Sequence, residues 1–465
     1  MCGVTGGLGV TEKQVYAAVD AIAHRGPDAQ GVTVLGDAVL GHVRLSIMDI
    51  GEASNQPMER AGIVISYNGE LWNYVALRAE LEAVGHTFTT KGDTEVVATA
   101  LGHWGEDALT KFEGMFAVAW WDGDSMRLAR DRFGEVPLHY AKDGDRWAFA
   151  SELKAMPAYG VHPGAVVDVG PGEVVTLQPG CHMARRYYAP GITPSEGTRE
   201  TQAARLRASL EASMAERAMS DVPVCCLLSG GIDSSAVAAL ALRHLPGLVA
   251  YTAVYNPKSR DLRCARDMAE ALGIELVEVK IPTPTADDLA RTVGIVEMPF
   301  KAQVEIGWAC VHLADAMHVD GFKVTYSGEG SDELWGSYGF AYHGLKTKGW
   351  HEYRRDLFID QARKNFPRCN KVFMTKSVEC RLPFLNTSLV ESALAMTKDV
   401  VQNGKHTKAV LQDAVRDLLP LEIVDRPKVA FQDGAGLKVA CAEAVANPKR
   451  FYTAVHAANM RGGWQ

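Results

Sequence analysis

Apolar positions in residues 1–190 fall in short runs closed off by Gly and Asp. "GIVISYNGE", "MFAVAWWDG", "MRLARDRF" and "RWAFASE" read as strands. Asp122-Gly123 and Asp143-Gly144 supply hairpin-type turns between such runs. Two stretches change the rhythm. Val15, Ala18, Val19 and Ile22 recur at helical spacing, as do Tyr74, Leu77, Leu81 and Val84, a run ended by Gly85. Many strands with a few helices predict a layered α+β unit.

"YYAPGITPSEGTRETQ" then breaks all periodicity and reads as a linker. Beyond it, over 201–465, the grammar changes. "VPVCCLLSGG", "LVAYTAVYN", "IELVEVKI" and "FKVTYSGEG" are strand-like, and "SSAVAALALRHL" and "RCARDMAEALG" between them are helix-like. Alternating strands and helices predict a parallel, doubly wound α/β sheet, which binds ligands at the carboxyl ends of its strands. Both Gly-rich stretches, "SGGIDSS" and "SGEGSDE", fall at such ends.

Composition narrows the function classes. With 465 residues the chain is long enough for two or three domains. A net charge of -8 and no basic run argue against a nucleic-acid binder. No apolar stretch reaches the ~18 residues of a membrane span. The N-terminus does not read as a signal peptide, and the nine cysteines include no CxxC pair. These features lead us to expect a reduced, cytoplasmic setting, with Cys225 and Cys226 as strand core and the Asn386-Thr387-Ser388 sequon idle.

Three segments carry candidate chemistry. The chain opens "MCG". Cys2 is either an incidental small apolar residue or, once Met1 is removed, a thiol sharing its residue with a free α-amine that serves as its base. "SGGIDSS" sits between a strand and a helix, where glycines and free helix N–H groups cradle phosphate. It lacks the lysine and spacing of GxxxxGK[ST]. Asp233 inside it needs a cation between itself and phosphate, and Mg2+ is the expected one. Asp332 in "SGEGSDE" is a second carboxylate for it, and Glu329 a candidate acid or base.

Taken together, the halves resemble the glutamine-hydrolysing asparagine synthetases over nearly the whole chain. "MCG", "HRGPD", "RLSIMDI", "YNGELWNY", "GDTEV" and "RDRFG" match in order the class II glutamine amidotransferase half; "LLSGGIDSS", "SGEGSDE", "VECRLPFLN" and "RPKVAFQDG" match the synthetase half. The resemblance implies an N-terminal nucleophile hydrolase sandwich, with antiparallel sheets between helices, over 1–190. It implies an ATP pyrophosphatase domain over 201–465.

It also assigns roles. Cys2 is the nucleophile on the glutamine amide, and the Asn68 side-chain amide and Gly69 N–H receive the oxyanion. Arg44 takes the glutamine carboxylate, and Asp93 with Glu70 takes its ammonium. Leu228, Ser229, Gly230, Gly231, Asp233, Ser234, Ser235, Ser327 and Gly328 bind ATP, with Mg2+ on Asp233 and Asp332. Lys428 stabilises charge at the α-phosphate as pyrophosphate leaves. Glu329 is the base that takes the proton from ammonium, freeing ammonia to attack the acyl-adenylate. Glu379 is expected close to that second site, or else in a helix-supporting ion pair with Arg381. The implied partners are glutamine, ATP and a small carboxylic acid, aspartate by default; a homodimer is conceivable.

Two features depart from the family. The chain is shorter than typical members, and "EMPFKAQVEIGWACV", expected to line the acceptor pocket around Gln303 to Trp308, does not follow the pattern. A different acceptor acid is therefore the alternative. A β-lactam-forming relative would lack the cysteine and carry tyrosine in place of Glu329. An enzyme acting on tRNA would want a basic surface.

Overall fold

The computed structural model describes residues 1–337, 345, 347–404, 406–426 and 437–462. Its first half builds two six-stranded sheets. One has the order β10-β8-β9-β1-β3-β2, from β1 (Gly3–Leu8), β2 (Ala29–Leu35), β3 (Ala38–Arg44), β8 (His139–Asp143), β9 (Arg146–Ala150) and β10 (Val166–Asp168). The other runs β12-β11-β7-β6-β5-β4, from β4 (Met58–Arg60), β5 (Ile63–Leu71), β6 (Gly114–Trp121), β7 (Met126–Arg130), β11 (Glu173–Gln178) and β12 (Cys181–Arg186). All their pairings are antiparallel.

Helices coat the outer faces. In Glu12–Ala21, Val15, Ala18 and Val19 pack on Val39 and Val43 of β3, and the helix starts with a Thr11–Gln14 capping box. In Tyr74–Ala83 and Thr94–Trp104, Leu77, Leu81, Val96 and Val97 pack on Ile65 and Tyr67 of β5. The layers are therefore helix, sheet, sheet, helix. Gly85, φ +99°, lets the chain turn after the first of these two helices.

The presumed linker is irregular through Pro190–Gly197, but its last residues already form the first turn of helix Arg199–Arg217, capped by Thr198. The second half holds a parallel sheet in the order β15-β14-β13-β16-β17, from β13 (Val224–Leu227), β14 (Val249–Val254), β15 (Glu275–Lys280), β16 (Val324–Tyr326) and β17 (Glu379–Arg381). Cys225 and Cys226 are fully buried in β13. From β13 the order grows in both directions, so the switch point lies between β13 and β16. Ligands bind at such points. "SGGIDSS" follows β13 and "SGEGSDE" follows β16, so both loops open into that one crevice.

The N-terminal strand β1 is central in its sheet, and the residues before it run into the seam between the halves. There the Met1 amino group meets Glu379 Oε2 at 2.5 Å, and Arg25 donates to Asn370 Oδ1 at 2.7 Å. Leu153 and Lys154 N–H groups donate to the Glu297 carboxylate, each at 2.9 Å.

Candidate active sites

Cys2 lies immediately before β1, facing Asn68 on β5 of the opposing sheet. The Cys2 N–H donates to Asn68 Oδ1 at 2.7 Å. That contact orients the amide and turns Nδ2 away, and Nδ2 is a buried donor with no partner among the described residues. An unpaired buried donor is costly in a resting protein and is what an oxyanion needs. At Gly69 a Cβ would come 2.3 Å from Met115 O, so the close approach of β5 and β6 requires glycine. Burial pushes the Cys2 thiol up, against the lowering effect of the chain amino group, so attack calls for a base.

Arg44, at the end of β3, donates to Asp49 O (2.5 Å), Gly51 O (2.7 Å) and Asn55 Oδ1 (2.8 Å), tying the following loop into one shape. Asp93 Oδ2 accepts from Tyr67 Oη and from Leu71 N–H, both at 2.9 Å. Glu70 lies 3.8 Å from Arg381. Burial raises the pKa of both Glu70 and Asp93, and Glu379 adds to each as a like charge. A cluster of buried acids held above its ordinary range has room for one more cation, such as an α-ammonium.

Glu379 needs correcting. It begins β17, at the amino end of the strand and away from the crevice at the carboxyl ends. It faces the chain terminus instead, and its ion pair with Arg381 (2.7 Å) lies along a strand rather than a helix.

In the crevice, Gly230 has φ +71°, and a Cβ there would come 2.6 Å from Ala265 N. At Gly328 a Cβ would come 2.9 Å from Ser234 N, so the two loops touch backbone to backbone. Ser331 Oγ donates to Asp233 Oδ1 at 2.6 Å. Ser234 Oγ accepts from Ser229 N–H at 3.1 Å and donates to Gly231 O at 3.2 Å, which folds the loop on itself. Helix Ile232–Ala241 starts at Gly231 without a side-chain cap, leaving its first N–H groups for an anion. Leu228 N–H is taken by Tyr251 O and Ser327 N–H by Arg381 O, which holds both strand ends in register.

Lys408 was not anticipated from sequence. Its ammonium lies 2.6 Å from Asp233 and 2.5 Å from Asp332, and the residue is buried. Two carboxylates converging on one cation mark a point of concentrated negative charge. The donor set fits Mg2+, which takes one or two carboxylates and completes its shell with phosphate and water. No cluster of three or more potential ligands exists among the described residues, so such a metal would depend on substrate oxygens.

Glu329 Oε2 lies 3.0 Å from an Arg368 nitrogen, and Arg368 Nε donates to Gln303 Oε1 at 2.7 Å. Gln303 continues to Asn365 Oδ1 at 2.7 Å. The Gln303 end of the anticipated pocket segment therefore joins Glu329, while Trp308 packs edge-on to His312. Lys428 lies outside the described residues. Lys408 and Arg368 escaped notice because neither lies in a Gly-rich turn. The available signal was a lysine opening an apolar run, "KAVLQDAV".

Known proteins show the same two-part layout. A family described as a glutamine amidotransferase domain matches residues 1–170, and one described as asparagine synthase matches 205–368 and 362–447. Asparagine synthetase 2 (glutamine-hydrolyzing) of Oryza sativa subsp. japonica is 31% identical over 94% of this chain and 78% of its own. Asparagine synthetase B of Escherichia coli (strain K12) is 30% identical over 89% and 77%, respectively. This chain belongs to the glutamine-hydrolysing asparagine synthetase family.

Proposed function

We propose that the chain hydrolyses glutamine at Cys2, adenylates a small carboxylic acid in the β13/β16 crevice, and joins the released ammonia to it as an amide. The observation that carries this reading is the adjacency of the two sites through one strand pair. Met1, the residue ahead of Cys2, reaches Glu379 on β17, which sets Cys2 beside that strand, and its neighbour β16 leads straight into the turn that bears Glu329.

In the first reaction, removal of Met1 exposes the Cys2 amine as base for its own thiol. The Asn68 Nδ2 and Gly69 N–H receive the oxyanion. Arg44 holds the glutamine carboxylate, and Glu70 and Asp93 its ammonium. In the second, the loop Leu228–Ser235 with Ser327 and Gly328 seats ATP. When bound, Mg2+ at Asp233 and Asp332 supplies charge neutralisation for the pyrophosphate. Lys428 serves the α-phosphate. Glu329, held by Arg368, takes the proton that the ammonia nitrogen sheds as it bonds the acyl carbon and AMP leaves.

Aspartate is the default acceptor. Another small acid is the second reading, favoured by Gln303, which lies on a segment that departs from the family and bonds Arg368 beside Glu329. The test is a screen of carboxylic acids for pyrophosphate release that requires both ATP and glutamine. AMP and pyrophosphate with aspartate establish the first reading. The same products with another acid, never with aspartate, establish the second. ADP and phosphate would overturn the adenylation mechanism.

A further inference from the structure

Glu135 has no part in the chemistry above. It is 3% exposed, and neither carboxyl oxygen has a hydrogen-bond partner among the described residues. Its backbone is fixed. Glu135 N–H donates to Asp131 Oδ1 and Val136 N–H to Asp131 Oδ2, both at 3.0 Å. Arg130 donates to Gly134 O (2.7 Å) and, across the seam, to Ala362 O (2.9 Å). The acid is thus carried on a rigid turn pressed against the second half.

Contacts across the seam give its place: a Cβ at Gly134, the residue before it, would come 2.9 Å from the Ala362 side chain, and Ala362 leads into helix Asn365–Met374. The charged groups that bear on its carboxyl agree, Asp131 on its own turn and Arg217 and Glu379 from the second half. Glu379 holds the terminus beside Cys2, and Cys369 follows Arg368, which holds Glu329. Every residue of helix Asn365–Met374, which carries Arg368 and Cys369, is buried. Glu135 therefore lies at the seam, beside the segment that leads into the helix carrying Arg368, with both carboxyl oxygens free, among the described residues, to take a small polar molecule.

We propose that Glu135 is an internal binding site for ammonia on its way from Cys2 to Glu329; the inference rests on the function proposed above. Burial and the neighbouring Asp131 favour the uncharged acid. Its O–H donates to the nitrogen lone pair and its carbonyl oxygen accepts one N–H. No covalent bond forms or breaks, and the molecule leaves as it came.

The test uses the full chain with Glu135→Met, close in volume and apolar, and Glu135→Gln, which keeps a donor and an acceptor. Since the carboxyl bonds no described protein group, neither change removes a protein hydrogen bond, and thermal melting confirms folding. Amide formed per glutamine hydrolysed is measured in bulk 15N-ammonium. Losing one or two hydrogen bonds to ammonia lowers this yield about fivefold in Glu135→Met, with a matching rise in 15N in the product. Synthesis from saturating ammonium stays within about twofold of wild type, and Glu135→Gln restores most of the yield. Equal yields in wild type and both variants overturn the proposal, as does a lower yield without added 15N, the mark of a structural or water-holding role. A wild type that makes no glutamine-dependent amide overturns the functional reading instead.

Discussion

In the proposed hydrolysis, Cys2 depends on what surrounds it more than on its own reactivity. Burial raises the thiol, so a nearby amine has to take the proton, and Asn68 has one donor left over for the oxyanion. Cys2→Ala should abolish glutamine-dependent synthesis and leave ammonium-dependent synthesis within about twofold, because the crevice chemistry is untouched. Glutaminase activity persisting in the variant would refute the assignment. His42 allows a test of stability. Its Nε2 meets Tyr67 O at 3.0 Å, and burial pushes its pKa from 6.5 down to about 3. A depressed folded pKa gives stability that is complete above the unfolded value and lost as pH falls toward the folded one. Between them, unfolding takes up one proton, a slope of about 1.4 kcal/mol per pH unit. His42→Gln should flatten the stability curve there by that slope, as followed by urea unfolding at successive pH values. These residues differ in how far sequence could reach them. Cys2, Asn68 and Gly69 stand out in the sequence because each lies in a contiguous motif, and the fold brings Cys2 and Asn68 into contact. The buried state of His42 does not, since it depends on two sheets closing over β3.

Elements were easiest to read where the pattern was long and local. Helix Arg260–Leu272 and strand β15 follow directly from their apolar spacing, and Gly273 stops the helix in the left-handed region. Strand β17 was missed because three residues carry no period and its pairing partner lies far away in the chain. Lys408 was missed for a similar reason. Its meaning appears only when the loops after β13 and β16 bring Asp233 and Asp332 together. That arrangement predicts a metal-dependent effect on stability. Lys408→Met removes a buried cation shared by two acids, which should cost about 3 kcal/mol or more. Millimolar Mg2+ should recover part of the loss by taking the vacated charge position, while Ca2+ or Na+ at equal ionic strength recovers less. Chemical denaturation with and without Mg2+ reads this directly. A loss that Mg2+ does not touch would remove Asp233 and Asp332 as metal ligands.

At the scale of the whole molecule, the seam is where the two reactions meet, and it is held by buried charge and hydrogen bonds rather than by a flexible tether. Arg25, paired with Glu152 at 2.5 Å, donates across it to Asn370 Oδ1 at 2.7 Å, and Glu297, paired with Lys371 at 2.5 Å, accepts across it from the Leu153 and Lys154 N–H groups, each at 2.9 Å. Buried groups of this kind are costly to leave without a partner, so the contacts across the seam resist being opened. A seam held in this way allows the two reactions to be separated by a change confined to one of them. Glu329 contacts Arg368 and opens on the crevice; it does not touch the Cys2 site. Glu329→Gln keeps the hydrogen-bonding shape but not the base. Glutamine hydrolysis should stay within about twofold of wild type, while amide product falls by more than the ~10² expected for loss of one general base. The ammonia still released then has no acceptor and should appear in bulk solution, where a glutamate dehydrogenase reporter counts it against glutamate formed. If hydrolysis instead stops together with synthesis, the seam transmits the state of the crevice to Cys2, and the two half-reactions are obligately coupled.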